Sequence, residues 1–210
     1  MKLYYVPNAC SISPHIALRE GGFKFELDLV DPRTKKTASG EDYMVVNPKG
    51  YVPGLRLDDG TVLTEGQVIV QYLADQKPEA GLAPPAGTLA RVRMQEWLNF
   101  IATEMHKGIS PLMSDKAGDE YKAQVKDKLR TRLDFMNRSL EGKQYLMGDK
   151  FTVADGYAFY GLRSWQNRTQ SDLAAFPFLS QYYDRLAARP AIQEAVKAEG
   201  IEMYPAKRKG

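Results

Sequence analysis

The chain carries a single cysteine, at position 10, and only two histidines among its 210 residues. One thiol excludes an intramolecular disulfide and suits a reducing compartment. No apolar run approaches the roughly 20 residues of a membrane helix, and the N-terminus reads as a strand without a signal-peptide core. A cytoplasmic protein with no membrane contact is expected. Neither sign of charge dominates: 29 Lys and Arg face 26 Asp and Glu, a net charge of +3. That excess is too small to suggest nucleic acid without a local basic patch. The one Lys/Arg cluster, Lys207-Arg208-Lys209, reads as a solvated tail. No metal site is expected. What is present is ordinary globular material, 43% hydrophobic and 26% charged, enough for a real core.

The lone cysteine occupies a particular place. Leu3-Tyr4-Tyr5-Val6 is β-branched and aromatic and stops at Pro7, so it reads as a buried strand. Asn8 and Ala9 turn the chain, and Ile12, Ile16 and Leu18 open a helical pattern. Cys10 and Ser11 therefore sit at a strand end and a helix start, where free N–H groups and the helix dipole favour a thiolate. Pro14 is tolerable because it falls in the first turn. Gly21-Gly22 ends this helix, and Phe25 to Val30 alternates as a second strand.

Residues 31 to 50 form a polar loop with one short helix around Asp42 to Val46. Two strands follow, joined by Asp58-Asp59-Gly60 as a hairpin, and Thr64 is a candidate N-cap for a helix bearing Val68, Ile69, Tyr72 and Leu73. The order β-α-β, loop, β-β-α makes a small mixed-sheet domain over residues 1–77. Residues 78–87 are rich in Pro and Gly and read as a linker. Beyond it no strand is evident. Apolar residues at three- and four-residue steps predict one long helix over 89–107 and a charged one over 120–140. A third helix is capped by Thr152 and Asp155, and two shorter ones flank Pro190. The second domain, 88–203, is thus an all-helical bundle, with 204–210 as the basic tail.

Three features of the first domain carry chemistry. Cys10 is one. The Val52-Pro53 bond is another: a cis bond there would turn the Val52 N–H and C=O outward to hold an extended peptide as an added strand. The third is Thr64-Glu65-Gly66-Gln67, a helix N-terminus able to bind a carboxylate while Glu65 pairs an ammonium. The stretch Cys10-Ser11-Ile12-Ser13 has Ser where a dithiol oxidoreductase has its resolving cysteine, so a two-cysteine cycle is excluded.

Taken together, Cys10 at the first helix, Asn47-Pro48-Lys49-Gly50-Tyr51-Val52-Pro53, Leu63-Thr64-Glu65-Gly66, and Phe151-Thr152-Val153-Ala154-Asp155 in a helical second half resemble the glutathione S-transferase superfamily over residues 1 to 203. Cysteine at position 10 with the stretch Trp97 to Gly108 resembles its bacterial beta class. The resemblance implies an α+β two-domain fold, a thioredoxin-like domain followed by an all-α bundle, in a homodimer.

It also implies roles. Cys10 would face the glutathione sulfur, as in a class known for a mixed disulfide there. Val52 would pair its main chain with the cysteinyl unit, Glu65 and Gly66 would take the γ-glutamyl end, and Lys35 the glycyl carboxylate. His106 and Lys107 would close over the sulfur, and Asn99 and Thr103 would reach the neighbouring subunit's glutathione. Donors to a glutathione thiolate would be the Ser11 N–H and hydroxyl and His106. His15, inside the first helix, reads as structural. A small hydrophobic electrophile would rest against Tyr5, Met113, Tyr157, Tyr160 and Trp165. Conjugation to such electrophiles is the activity implied. Thiol-disulfide exchange or reductive dehalogenation through Cys10 is the alternative, and a non-catalytic glutathione-binding module a third possibility. One departure is Gly156, where a hydrophobic partner for Phe151 is usual, which weakens the expected helix start.

Overall fold

A computed structural model describes residues 1–207; Arg208 and Lys209 of the expected basic tail lie outside the described residues. Four strands form one mixed sheet in the order β2-β1-β3-β4. Strand β1 (Lys2–Tyr5) runs parallel to β2 (Glu26–Leu29), which requires the crossover helix α1 (Ile12–Glu20) between them. Strand β3 (Gly54–Arg56) pairs antiparallel with β1 and, through the predicted hairpin, with β4 (Val62–Thr64).

The two-residue alternation of β1 divides the sheet. Leu3 faces α1 and helix α3 (Gly66–Gln76) with Leu55, Ile16, Ile69 and Leu73 in one apolar core. Tyr4 faces the other side, in a smaller cluster with Val30, Tyr43 and Val52 under the 31–50 loop. That loop holds one helical turn, α2 (Tyr43–Val46), capped by Asp42. Gly54 keeps the second face closed, since a Cβ there would stand 3.0 Å from the Tyr43 hydroxyl.

The helical half contains α4 (Leu89–Phe100), α5 (Lys107–Ile109), α6 (Asp119–Ser139), α7 (Val153–Thr169), α8 (Pro177–Ala187) and α9 (Pro190–Ala198). The helix expected over 89–107 is not uniform. It widens into a π-helical stretch at Ile101–His106, beside Gly161 of α7, where a Cβ would meet Met105 at 3.4 Å. Such widenings re-aim side chains at functional sites.

Helix α1 is the joint between the halves. It packs on the sheet and on α3, and also on α7 and α9. Gly156 faces it, where a Cβ would meet Ile16 at 3.4 Å, an ordinary contact, but the larger side chain of a staple would have to push into Ile16. The departure noted in the sequence therefore has a packing cause. The cap at the start of α7 stands without a staple: Asp155, fully buried, accepts from the Thr152 N–H at 2.7 Å, the Leu146 N–H at 2.9 Å and the Tyr182 hydroxyl at 2.8 Å.

His15 is structural, as the sequence indicated. Arg19 Nε donates to its Nε2 at 2.9 Å, so Nδ1 carries the proton and donates to Glu199, also at 2.9 Å. Arg189 clamps Glu20 through two bonds of 2.6 and 2.8 Å on the same seam. The last described residues follow α7 as well. Ala206 is buried with its carbonyl on the Leu173 N–H, and the Tyr204 hydroxyl bonds Asn167.

Candidate active site

A cavity of about 650 Å³ opens between the halves. The sheet domain contributes Cys10, Lys35, Val52, Glu65 and Gly66, and the helical domain contributes Thr103, His106, Lys107, Met113, Tyr157 and Tyr160. Residues from every part of the sequence-predicted site thus meet around one space.

The turn before β3 builds the floor. Tyr43 Oη and Asn47 Nδ2 both donate to the Tyr51 carbonyl, at 3.1 and 2.8 Å, and the Val52-Pro53 bond that follows is cis. Beside it Cys10 Sγ lies 3.5 Å from the Val52 carbonyl oxygen. Here the thiolate expectation fails. Burial pushes the Cys10 thiol up to about 11, outweighing its own backbone N–H and the nearby Lys107 charge, which act the other way. At neutral pH Cys10 is a thiol that donates to Val52.

Thr64 does not cap α3. Glu65 occupies that position at φ +69°, a conformation unusual for a residue with a side chain. Its carbonyl accepts from the Val68 and Ile69 N–H groups, which leaves the Gly66 and Gln67 N–H groups ahead of the first intrahelical bond, at the cavity wall. The strain is held by side-chain partners: Lys49 Nζ bonds Glu65 Oε1 at 2.5 Å and the Tyr51 hydroxyl bonds it at 3.1 Å. The Lys49 bond holds the Glu65 carboxyl below its usual range. Lys35, itself at φ +58°, reaches the Gly50 carbonyl at 2.7 Å.

Across the cavity, His106 Nδ1 lies 2.8 Å from the Tyr157 hydroxyl, and the imidazole stands edge-on to Tyr160 with centroids 4.9 Å apart. Burial first, and then the Lys107 charge, bring the imidazole down to about 4, so His106 is neutral at pH 7. Burial also holds Tyr157 and Tyr160 well above the ordinary phenol range. Both remain hydroxyl donors.

Three expected residues lie elsewhere. The Ser11 hydroxyl is fully buried and spent on Val6, accepting from its N–H and donating to its carbonyl at 3.2 Å each, so it closes the turn below the site instead of serving the sulfur. Trp165 is core, 1% exposed, and stands outside the cavity lining. Tyr5 is outside the cavity lining, and the carboxylates that act on it are Glu199 and Asp28. Asn99, expected at a neighbouring subunit's glutathione, is exposed on α4, and its carbonyl accepts the Thr103 hydroxyl at 3.0 Å.

Three lining or supporting residues escaped sequence reasoning. Lys49 stands inside the Asn47–Pro53 motif, yet its partner Glu65 is 16 positions away. Tyr43 is a buried aromatic of the loop with no periodic signal. Arg168 continues the Tyr157, Tyr160, Ser164 series on α7 at helical spacing, and that spacing could have found it.

A thioredoxin-like sheet domain joined to a helical bundle, with the cavity at the seam, defines a two-domain glutathione-transferase architecture. The family profile described as "Glutathione S-transferase, N-terminal domain" matches residues 9–76, and that described as "Glutathione S-transferase, C-terminal domain" matches residues 100–190. The chain is 45% identical over 202 residues to glutathione S-transferase GstA of Escherichia coli O157:H7, covering 96% of this chain and all of that one. A solved ternary complex of the bacterial transferase BphK is 53% identical, with a TM-score of 0.92 over 96% of this chain and all of that one. A beta-class transferase of Sphingomonas chungbukensis is 43% identical, with a TM-score of 0.91 over the same shares. The chain belongs to the glutathione S-transferase family, with bacterial beta-class enzymes among its structural neighbours.

Proposed function

We propose that the protein conjugates the thiol of glutathione to small hydrophobic electrophiles. The observation that carries this reading is a shared cavity in which Glu65, Gly66 and Val52 of the sheet domain face His106, Lys107 and Tyr157 of the helical domain. A γ-glutamyl ammonium would meet Glu65, and its carboxylate the N–H groups at the start of α3. The cysteinyl main chain would pair with Val52, and Lys35 would take the glycyl carboxylate. The glutathione-binding unit would be residues 1–77 and the helical unit 88–203, in a cytoplasmic homodimer. Among the described residues no helix is long and apolar enough to cross a membrane. Half-exposed Phe135, packed against Trp97 and Phe100, supplies apolar surface for a second copy to cover, with Asn99 and Thr103 facing its glutathione.

The chemistry follows from the protonation states. With the Tyr157 hydroxyl donating to Nδ1, neutral His106 carries its proton on Nε2 and offers it to the glutathione sulfur. One charge-assisted hydrogen bond contributes about 1.5–3 kcal/mol, or one to two pKa units, and Lys107 adds to it. The thiol proton passes to water, since an imidazole with its pKa near 4 does not hold it at pH 7. The thiolate then attacks the electrophilic carbon: a C–S bond forms and the leaving group departs with its electron pair.

Cys10 supports the second reading, glutathione-dependent disulfide exchange or dehalogenation, because its sulfur lies at the same wall as Val52. Turnover of a chloronitroarene and of a glutathione mixed disulfide by wild type and Cys10→Ala separates the two. Retained conjugation by the variant supports conjugation through His106. Loss of both activities with glutathione binding intact makes Cys10 the nucleophile. Binding without turnover of either substrate by wild type would favour a binding module.

A further inference from the structure

We infer that the electrophile subsite is built for a substrate bearing an anionic group, a carboxylate or its equivalent, held by Arg168. This deepens the proposed conjugation and rests on it. Tyr157, Tyr160, Ser164 and Arg168 are spaced three, four and four residues apart on α7, so they form one stripe along a single helix face, and all four line the cavity. The stripe begins at the phenol bonded to His106 and ends at a guanidinium. Eight residues separate Tyr160 from Arg168, about 12 Å of helix axis, a span comparable to a substituted aromatic ring plus the long guanidinium side chain. A planar electrophile lying on Tyr160 with its reactive carbon toward Cys10 and His106 would therefore bring its far end within reach of Arg168.

The charges of the cavity favour the same assignment. Glu65 is engaged by Lys49 and Lys35 bonds the Gly50 carbonyl, whereas Lys107 and Arg168, both exposed at the cavity wall, have no carboxylate partner in an ion pair among the described residues. These two of the cavity's three lining cations stand on different sides of it. Lys107 acts on Cys10, Glu65 and His106, at the sulfur and γ-glutamyl side, while Arg168 acts on Tyr160. A purely hydrophobic substrate has no use for a guanidinium at the end of an aromatic wall. An aromatic or conjugated acid does: its ring stacks on the tyrosine and its carboxylate takes the two-pronged guanidinium geometry.

The test uses a matched pair, 4-chloro-3,5-dinitrobenzoate and its methyl ester, which differ in charge and carry the same leaving group. In each the glutathione sulfur displaces chloride at the ring carbon. Wild type is expected to prefer the acid in kcat/KM, after correction for the uncatalysed rates. Arg168→Gln should lower the value for the acid about fivefold, through KM, and leave the ester within twofold, with the preference fading at high salt. Calorimetric Kd values for the preformed acid and ester glutathione conjugates give a readout that needs no turnover. Tighter binding of the acid conjugate that is lost in Arg168→Gln supports the assignment even if conjugation itself fails. Equal affinity of wild type for the two conjugates, or equal loss of both substrates in the variant, overturns it while leaving conjugation standing.

Discussion

The protonation state of Cys10 gives the most exacting prediction, because sequence position and tertiary burial point in opposite directions. At a helix start an exposed cysteine is expected to ionise near or below neutrality. Here the thiol is pushed up to about 11 by burial between the sheet and the helical domain. At pH 7 a thiol of pKa 11 is ionised to about one part in 10⁴, against about one part in 100 for its ordinary value of 9, a ratio of about a hundred. Alkylation of the ligand-free protein by iodoacetamide, followed by mass spectrometry from pH 6 to 10, should be slower than that of a free thiol by about this factor. Its logarithm should rise with unit slope across the whole range. There is a linked effect on stability. A raised folded pKa means that the folded state holds its proton more tightly than the unfolded one. The stabilisation is complete below the unfolded pKa of about 9 and is lost as pH rises toward 11, on the order of 3 kcal/mol in all. Cys10→Ala should flatten that part of the stability profile. A plateau in the alkylation rate below pH 8 would refute the reasoning, since it would mean that the helix dipole and Lys107 outweigh burial.

Three further outcomes are expected. Because His106 has its pKa near 4, kcat/KM should show no ionisation attributable to it between pH 5 and 8; a limb in that range that disappears in His106→Asn would contradict the burial argument. Glu65→Gln should raise KM for glutathione about tenfold or more while shifting Tm little, because the Lys49–Glu65 pair is 44% exposed on each side and such pairs contribute roughly 0–1 kcal/mol. Asp155→Ala removes the acceptor of the Leu146 and Thr152 N–H groups and of the Tyr182 hydroxyl, all buried. At about 1–3 kcal/mol for each stranded donor, urea denaturation should show a loss of 3 kcal/mol or more, and a loss under 1 kcal/mol would mean that water replaces the carboxylate.

Much of this protein is determined by the sequence alone. Alternation over Leu3–Tyr5, the Asp58-Asp59-Gly60 turn and three- and four-residue apolar steps after residue 88 are local signals, and local backbone physics is enough to read them. The Thr152–Asp155 cap is of the same kind, with both partners inside one turn. Cys10, Val52 and Glu65 stood out at an element end or beside a breaker and His106 through the resemblance, and all four line one cavity.

Tertiary structure decided whatever depends on residues far apart in the chain. Ser11 was a plausible sulfur donor until its hydroxyl met Val6, and Trp165 was a plausible pocket wall until α7 turned it into the core. Lys49 and Arg168 acquire meaning only when the loop reaches Glu65 and the end of α7 reaches the cavity. The same holds for chemistry. Position in the sequence sets where the dipole and the charges stand, but the desolvation that keeps Cys10 protonated and His106 neutral comes from tertiary burial, His106 lying against Tyr157 and Tyr160.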